Sequence, residues 1–388
     1  MAVASPSMNM RAREAQHNNN WLHSRHWDLA FISLSVVLVT VPYLSYLGLN
    51  QLQGLLSPMA ATFGTTVSDL SRNIVNATVA LLIGGPHMYA TFSRTALDTE
   101  YRAKHPRILW TSLIIPVIVI SLAILSLEIL LTVFFFWASV HVLHQIVYIT
   151  ELYNHRATPE KQKFFTFSRI SDYAVIMTSL YPIAAYKMSI GAFQIGRNDL
   201  NSVIESVLGF FGLGLGPWMW MLAGAMFAVA LTVWIVKTVI EWRGGQLHPA
   251  KTLFIGLTVV ASFFVPALGN LDTAFQGMNL WHSFQYLALT WMLNNLRRER
   301  GELEGSPLVD RISSDGSARK YYLFNMGLTI ADVGLAVVFF FIMVGVFGAT
   351  FDFAFDRAYY MAVLSFLWIH YYHDHFLFTE PEVIRTSA

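Results

Sequence analysis

The sequence predicts an all-α integral membrane protein, a bundle of about ten transmembrane helices with both termini cytoplasmic. Three observations point there. Of 388 residues, 55% are apolar and 13% charged, where a soluble domain carries roughly a quarter charged residues. The apolar residues gather into ten stretches near the ~20 residues that cross a ~30 Å hydrocarbon layer as helix. Lysine and arginine crowd into alternate loops, the pattern that sets membrane orientation.

The expected organisation is a polar tail over 1–20, a single polytopic domain over 21–380 and a short tail over 381–388. The first tail has no apolar core of the kind a secretory signal needs. The ten spans are expected at 27–48, 73–92, 108–127, 128–150, 169–187, 217–242, 251–269, 273–294, 325–348 and 357–377. The third and fourth run together, and only their summed length places a turn near Ser126 to Glu128. In the second span the run Gly84-Gly85-Pro86 bends or breaks the helix and frees backbone groups beside His87. The stretch 189–216 is apolar but short and rich in glycine, which suits a re-entrant or interfacial segment. The aromatic runs at 134–137 and 337–343 could line a tunnel or simply face lipid.

Orientation follows from charge. Arg94, Arg102, Lys104 and Arg107 follow the second span, Arg156, Lys161 and Lys163 the fourth, Arg243 and Lys251 flank the sixth loop, and Arg297, Arg298 and Arg300 follow the eighth. These loops face the cytoplasm, so an even number of spans returns both termini there. The net charge of +1 is uninformative in sum, and the lack of a basic arm argues against a nucleic-acid partner. With no cysteine, there is no disulfide frame, cysteine-held zinc or thiolate nucleophile. Histidine and carboxylates remain as metal ligands.

The candidate chemistry lies in SVHVLHQ, with His141 and His144, and in WIHYYHDH, with His370 and His373. Residues at i and i+3 lie one turn apart on a helix, so each pair can present two imidazoles to one region. Histidine within hydrocarbon is costly unless it is used. His87 and His282 lie in other apolar stretches, and His26 stands at the cytoplasmic start of the first. On the expected topology all of these share the inner half of the bilayer, which places the metal site towards the cytoplasmic side. Asp28, Asp172, Asp332, Glu151 and Asp374 accompany them and could ligate or fix a histidine tautomer. Tyr286, on the face of His282, and Asp172 are the candidate catalytic residues. Several neutral imidazoles leave a dication with open positions, which suits Fe(II) and dioxygen as co-substrate. The count of histidines allows one ion or two. A buried apolar site would draw a lipophilic substrate from the bilayer, with membrane lipids around the protein. A di-iron lipid hydroxylase or desaturase, and a haem-binding or metal-transporting protein, are the alternative readings.

GGPHMY around His87, SVHVLHQ around His141 and WHSFQY around His282 resemble, in order and wording, the GxPHG, histidine-bearing and WHSxRH segments of the Brp/Blh family. LHSRHWDLAF is similar to the family's opening histidine segment. The family's members are membrane proteins of bacteria and archaea that cleave β-carotene centrally to two retinals, and the resemblance implies a histidine-bound non-haem iron. It implies His26, His87, His141 or His144, and His282 as ligands, and an inner (plasma) membrane setting. Met88 stands where the family has glycine, Tyr286 where it has a second histidine, and HYYHDH has no counterpart.

The charge asymmetry is testable. A reporter fused at Ala388, or inserted in the loop 295–320, should read cytoplasmic; a periplasmic signal from either would overturn the orientation and the shared depth of the histidines.

Overall fold

The computed structural model describes residues 20–157, 166–195, 198–269, 271–314 and 318–379. The tails expected over 1–20 and 381–388 lie outside the described residues, apart from Asn20. The chain is 83% helix with almost no strand. Among the described residues, six helices are long and apolar enough to cross a membrane: Arg25–Gln51, Pro106–Leu125, Leu127–Arg156, Trp218–Arg243, Pro249–Ala267 and Ala318–Gly345. The weak boundary near residue 126 is real, because Ser126 is extended and separates two helices.

The other four expected stretches are also helical, but they are broken or more polar. Residues 67–94 run through Val67–Val79, a π-helical turn Ala80–Gly84, Gly85–Ala90 and a 3-10 turn Thr91–Arg94. Phe167–Thr178 and Tyr181–Ser189 share one stretch, interrupted before Pro182. Leu271–Glu299 carries His282, Gln285 and Tyr286 inward, and the C-terminal helix Phe351–Thr379 carries His370, His373 and Asp374 inward, all buried. Inward polar groups lower the hydropathy of a helix without exposing it to water. Between residues 189 and 216 the chain forms a small hairpin, Gln194–Ile195 against Asn198–Asp199, and the ten-residue helix Asn201–Phe210. At 1.5 Å per residue that helix is about 15 Å long, half a hydrocarbon thickness.

Burial separates central from peripheral helices. The His141 helix, Leu127–Ala157, is buried over 56% of its most apolar stretch, whereas Trp218–Arg243 is buried over 11%. The latter exposes Leu222, Met226, Val229 and Val236, a surface suited to lipid rather than water. Val337, Val338, Phe341 and Ile342 of the second aromatic run are likewise exposed.

Two buried apolar clusters build the interior. One gathers Ile32, Val142, Ile146, Trp281, Tyr286 and Leu289; the other gathers Leu130, Leu131, Ala138, Leu364, Ile369 and Tyr371. The inward polar groups of four helices lie along the seam between them. Backbones close up there because two glycines permit it. A Cβ on Gly277 would stand 2.1 Å from the Val39 carbonyl, and one on Gly85 would stand 2.2 Å from Cγ2 of Thr329. Gly277 therefore seats the His282 helix on the first helix, and Gly85 seats the His87 segment on Ala318–Gly345. The charges counted in loops are not all free: Arg94 and Arg297 are buried, and Arg297 pairs with Asp98 at 2.6 Å.

Overpacking a close backbone contact costs about 1–3 kcal/mol. Gly277→Ala should accordingly lower the thermal midpoint of the detergent-purified protein by several degrees. Gly224→Ala, at a site with open space around it, should leave the midpoint unchanged or raise it slightly, since glycine inside a helix is unfavourable.

Candidate metal centre

Four elements that are distant in sequence bring His87, His141, His282 and His370 together. Their ring centroids stand 5.0 Å apart for His87 and His282, 4.9 Å for His282 and His141, 4.9 Å for His141 and His370, and 4.7 Å for His370 and His87. His282 and His370 face each other across this ring at 6.5 Å. A nitrogen bonds a first-row metal at about 2.1 Å, which sets its ring centroid about 3.2 Å from the ion. Two ligand rings at a right angle then stand about 4.5 Å apart, at the tetrahedral angle about 5.2 Å, and opposite one another about 6.4 Å. The observed sides and diagonal fall in this range, while the ligand atoms divide into two overlapping groups that share His370. One ligand atom each from His87, His282 and His370 lie within 4.8 Å of one another, as do atoms from His141, His370 and Asp374.

The donor set passes a second test. Nε2 of His87, His141 and His370 and both ring nitrogens of His282 have no hydrogen-bond partner among the described residues, although all four side chains are buried. An unmet buried polar group costs about 1–3 kcal/mol. A cation that took the lone pairs of several of them would meet that need.

The surrounding residues fix which nitrogen carries the proton. At the end of the π-helical turn Ala80–Gly84, Nδ1–H of His87 donates to the Gly84 carbonyl. Nε2 of His87 then keeps its lone pair. Pro86 has no N–H for the Leu82 carbonyl four residues back, which accepts instead from the Tyr322 hydroxyl at 2.7 Å. His370 is set by a relay: its Nδ1 meets the Thr91 hydroxyl at 2.5 Å, and that hydroxyl donates to Oδ1 of Asp374 at 2.9 Å. The Tyr286 hydroxyl donates to the same oxygen at 2.6 Å. Oδ2 of Asp374 lies 3.5 Å from Nδ1 of His370 and 3.9 Å from Nε2 of His141. His370 thus spends one nitrogen on the relay, and its other nitrogen meets no partner among the described residues. Gln145 steadies His282 by donating to its backbone carbonyl at 3.2 Å. Gln285 donates to the Ile32 carbonyl at 2.6 Å, at the π-helical turn Asp28–Ser33 of the first helix.

Several expected site residues lie elsewhere. Each i,i+3 pair contributes one member, because positions three apart differ by about 60° around a helix and the facing elements close over one of them. His144 turns to the flank, 5.4 Å from the exposed ring of His375. His373 is buried one turn beyond His370, and its Nδ1 meets the Thr95 hydroxyl at 3.0 Å. His26 is exposed at the head of the first helix. Asp172 is buried in a separate network, with Lys237 at 2.8 Å and Lys251 at 2.9 Å, where two ammonium groups hold its carboxylate. Asp28 binds the backbone of Leu22 and His23 and the Tyr153 hydroxyl, and Glu151 pairs with Arg169. Of the expected carboxylates, Asp374 alone enters the groups around the histidines.

Tyr286 does reach the centre, its ring 5.3 Å from that of His370. Thr91, Gln145 and Arg94 escaped the sequence reading. Thr91 is four residues from His87 and Gln145 four from His141, so each shares its histidine's helix face. Arg94 counted as a loop charge, yet it is buried and its charge couples to Tyr148, Tyr286 and Asp374.

Metal analysis tests the centre. Replacing His87, His282 or His370 by alanine should strip most bound iron from the detergent-purified protein, while His26→Ala and His144→Ala should retain it. Thr91→Val should weaken metal affinity roughly 10–100-fold by releasing His370 from its relay. Equal iron content in all variants would show the cluster to be a structural polar core. Comparison of the chain with protein-family models, curated proteins and solved structures finds no match in any of the three, so the argument for function rests on this geometry.

Proposed function

We propose that the chain is a membrane-embedded, histidine-rich non-haem iron oxygenase acting on a lipophilic substrate, and that its reaction is the central cleavage of β-carotene to retinal. The observation that carries this reading is the convergence of four buried imidazoles with ring nitrogens that meet no partner among the described residues. In this reading His87, His141, His282 and His370 hold the ion, and Fe(II) supplies the activation of dioxygen. Ten spans with both termini in the cytoplasm of a bacterial inner membrane set the centre towards the cytoplasmic side.

The chain's own groups have definite tasks. The Gly84 carbonyl and the Thr91–Asp374 relay keep two imidazoles in the ligating tautomer and orientation. The apolar clusters on both sides of the seam exclude water, which protects reactive species from proton leakage. Tyr286 holds its proton towards Asp374, on the side of the network facing His370. Splitting one C=C bond with one O2 places an oxygen atom in each aldehyde, so no external reductant is needed.

The geometry weighs against haem. Four rings about 5 Å apart around one centre leave no plane for a macrocycle between an axial pair. A two-iron lipid hydroxylase would need a second full donor set, and His144, His373 and His26 are not arranged to give one.

Expression in cells that accumulate β-carotene should bleach their colour and yield retinal, and His370→Ala should abolish both effects. Unchanged carotene in cells containing iron-loaded protein would reject the carotenoid reaction and leave the metal centre standing.

A further inference from the structure

One turn from the histidines, on two helices at once, the side chains change from imidazole to hydrocarbon. Ala138 precedes His141 by three residues and Met278 precedes His282 by four, so each lies on its histidine's helix face, about 5 Å away along the axis. Both line a narrow apolar cleft, walled further by Phe135, Phe136, Phe193 and Phe275. The aromatic walls pack on one another, with Phe135 4.9 Å from Phe193 and 5.5 Å from Phe275. The cleft has two hydroxyl-bearing residues, Ser139 and Tyr181. Ser139 donates to the Phe136 carbonyl at 2.8 Å. The wall left facing the cleft is almost entirely carbon. Phe136, at its rim, is 37% exposed on the outer face of the helix bundle.

We infer that this cleft seats the uncharged hydrocarbon segment of the substrate, an isoprenoid or polyene chain rather than a lipid head group, and aims it at His141 and His282. The inference rests on the oxygenase reading and adds the place and chemistry of binding. A chain entering past Phe136 from the bilayer meets no group that would need to shed water or find a hydrogen-bond partner. A charged or hydrated head group would lose its solvation there without compensation, at a cost of several kcal/mol. The T-shaped and tilted rings present both faces and edges to the cleft, and a flat conjugated chain can pack against either.

The absence of native cysteine allows a direct test. In S139C the introduced thiol is the one reactive sulfur, and a small apolar thiol reagent added after folding should label it; S202C, at an exposed site, serves as control. β-Carotene should slow labelling of S139C at least tenfold and leave S202C unaffected, while glycerophosphocholine, a head group without chains, should protect neither. Blocking S139C with a hexyl reagent should abolish this carotene binding while iron content stays at the unlabelled level. Equal labelling with and without β-carotene, or a thiol that never reacts in the ligand-free protein, would place the substrate elsewhere. Failure of the two readings is separable. Protection without retinal production would reject the cleavage reaction and keep the cleft; retinal production without protection would reject the cleft and keep the reaction.

Discussion

Four neutral imidazoles held together in a dry interior are the constraint on which the rest of this structure depends. Among the described residues several of their ring nitrogens meet no hydrogen-bond partner, and an unmet buried polar group is costly. The local irregularities of the chain follow from that demand. Within the π-helical turns Asp28–Ser33 and Ala80–Gly84, the Ile32 and Gly84 carbonyls accept from Gln285 and His87. Gly277 lets the His282 helix meet the Val39 backbone, and Gly85 makes room for the Thr329 side chain beside the His87 segment. Turns of this kind recur at functional sites because they redirect a few groups without ending the helix.

The placement of the centre at a seam has a second consequence. Apolar clusters on either side fill the space around the rings, so the polar groups that remain must satisfy one another. Thr91 does most of this, joining His370, Tyr286 and Asp374 through one hydroxyl. Arg94 adds a buried positive charge near the one buried carboxylate at the site. A second buried network, Asp172 between Lys237 and Lys251 with Asn154 and Glu241, joins the ends of three helices and the segment after Pro249. Breaking one partner of such a network strands a buried charge, so its work is to fix helix positions rather than to add net stability.

Composition, apolar run length and charge distribution determined that the chain is helical and built for a membrane, because the hydrocarbon layer constrains length and polarity residue by residue. They also singled out His87, His141, His282 and His370, since histidine in an apolar run is conspicuous wherever the helix ends up. Sequence spacing alone gave both members of each i,i+3 pair equal standing. Only tertiary packing chose His141 over His144 and His370 over His373, because which side of a helix faces the seam depends on neighbours hundreds of residues away. Packing likewise removed Asp172 to a lysine cage and brought Thr91 and Arg94 to the centre. Threonine and arginine carry no mark of their eventual partners in the local sequence, and burial and orientation are properties of the assembled bundle.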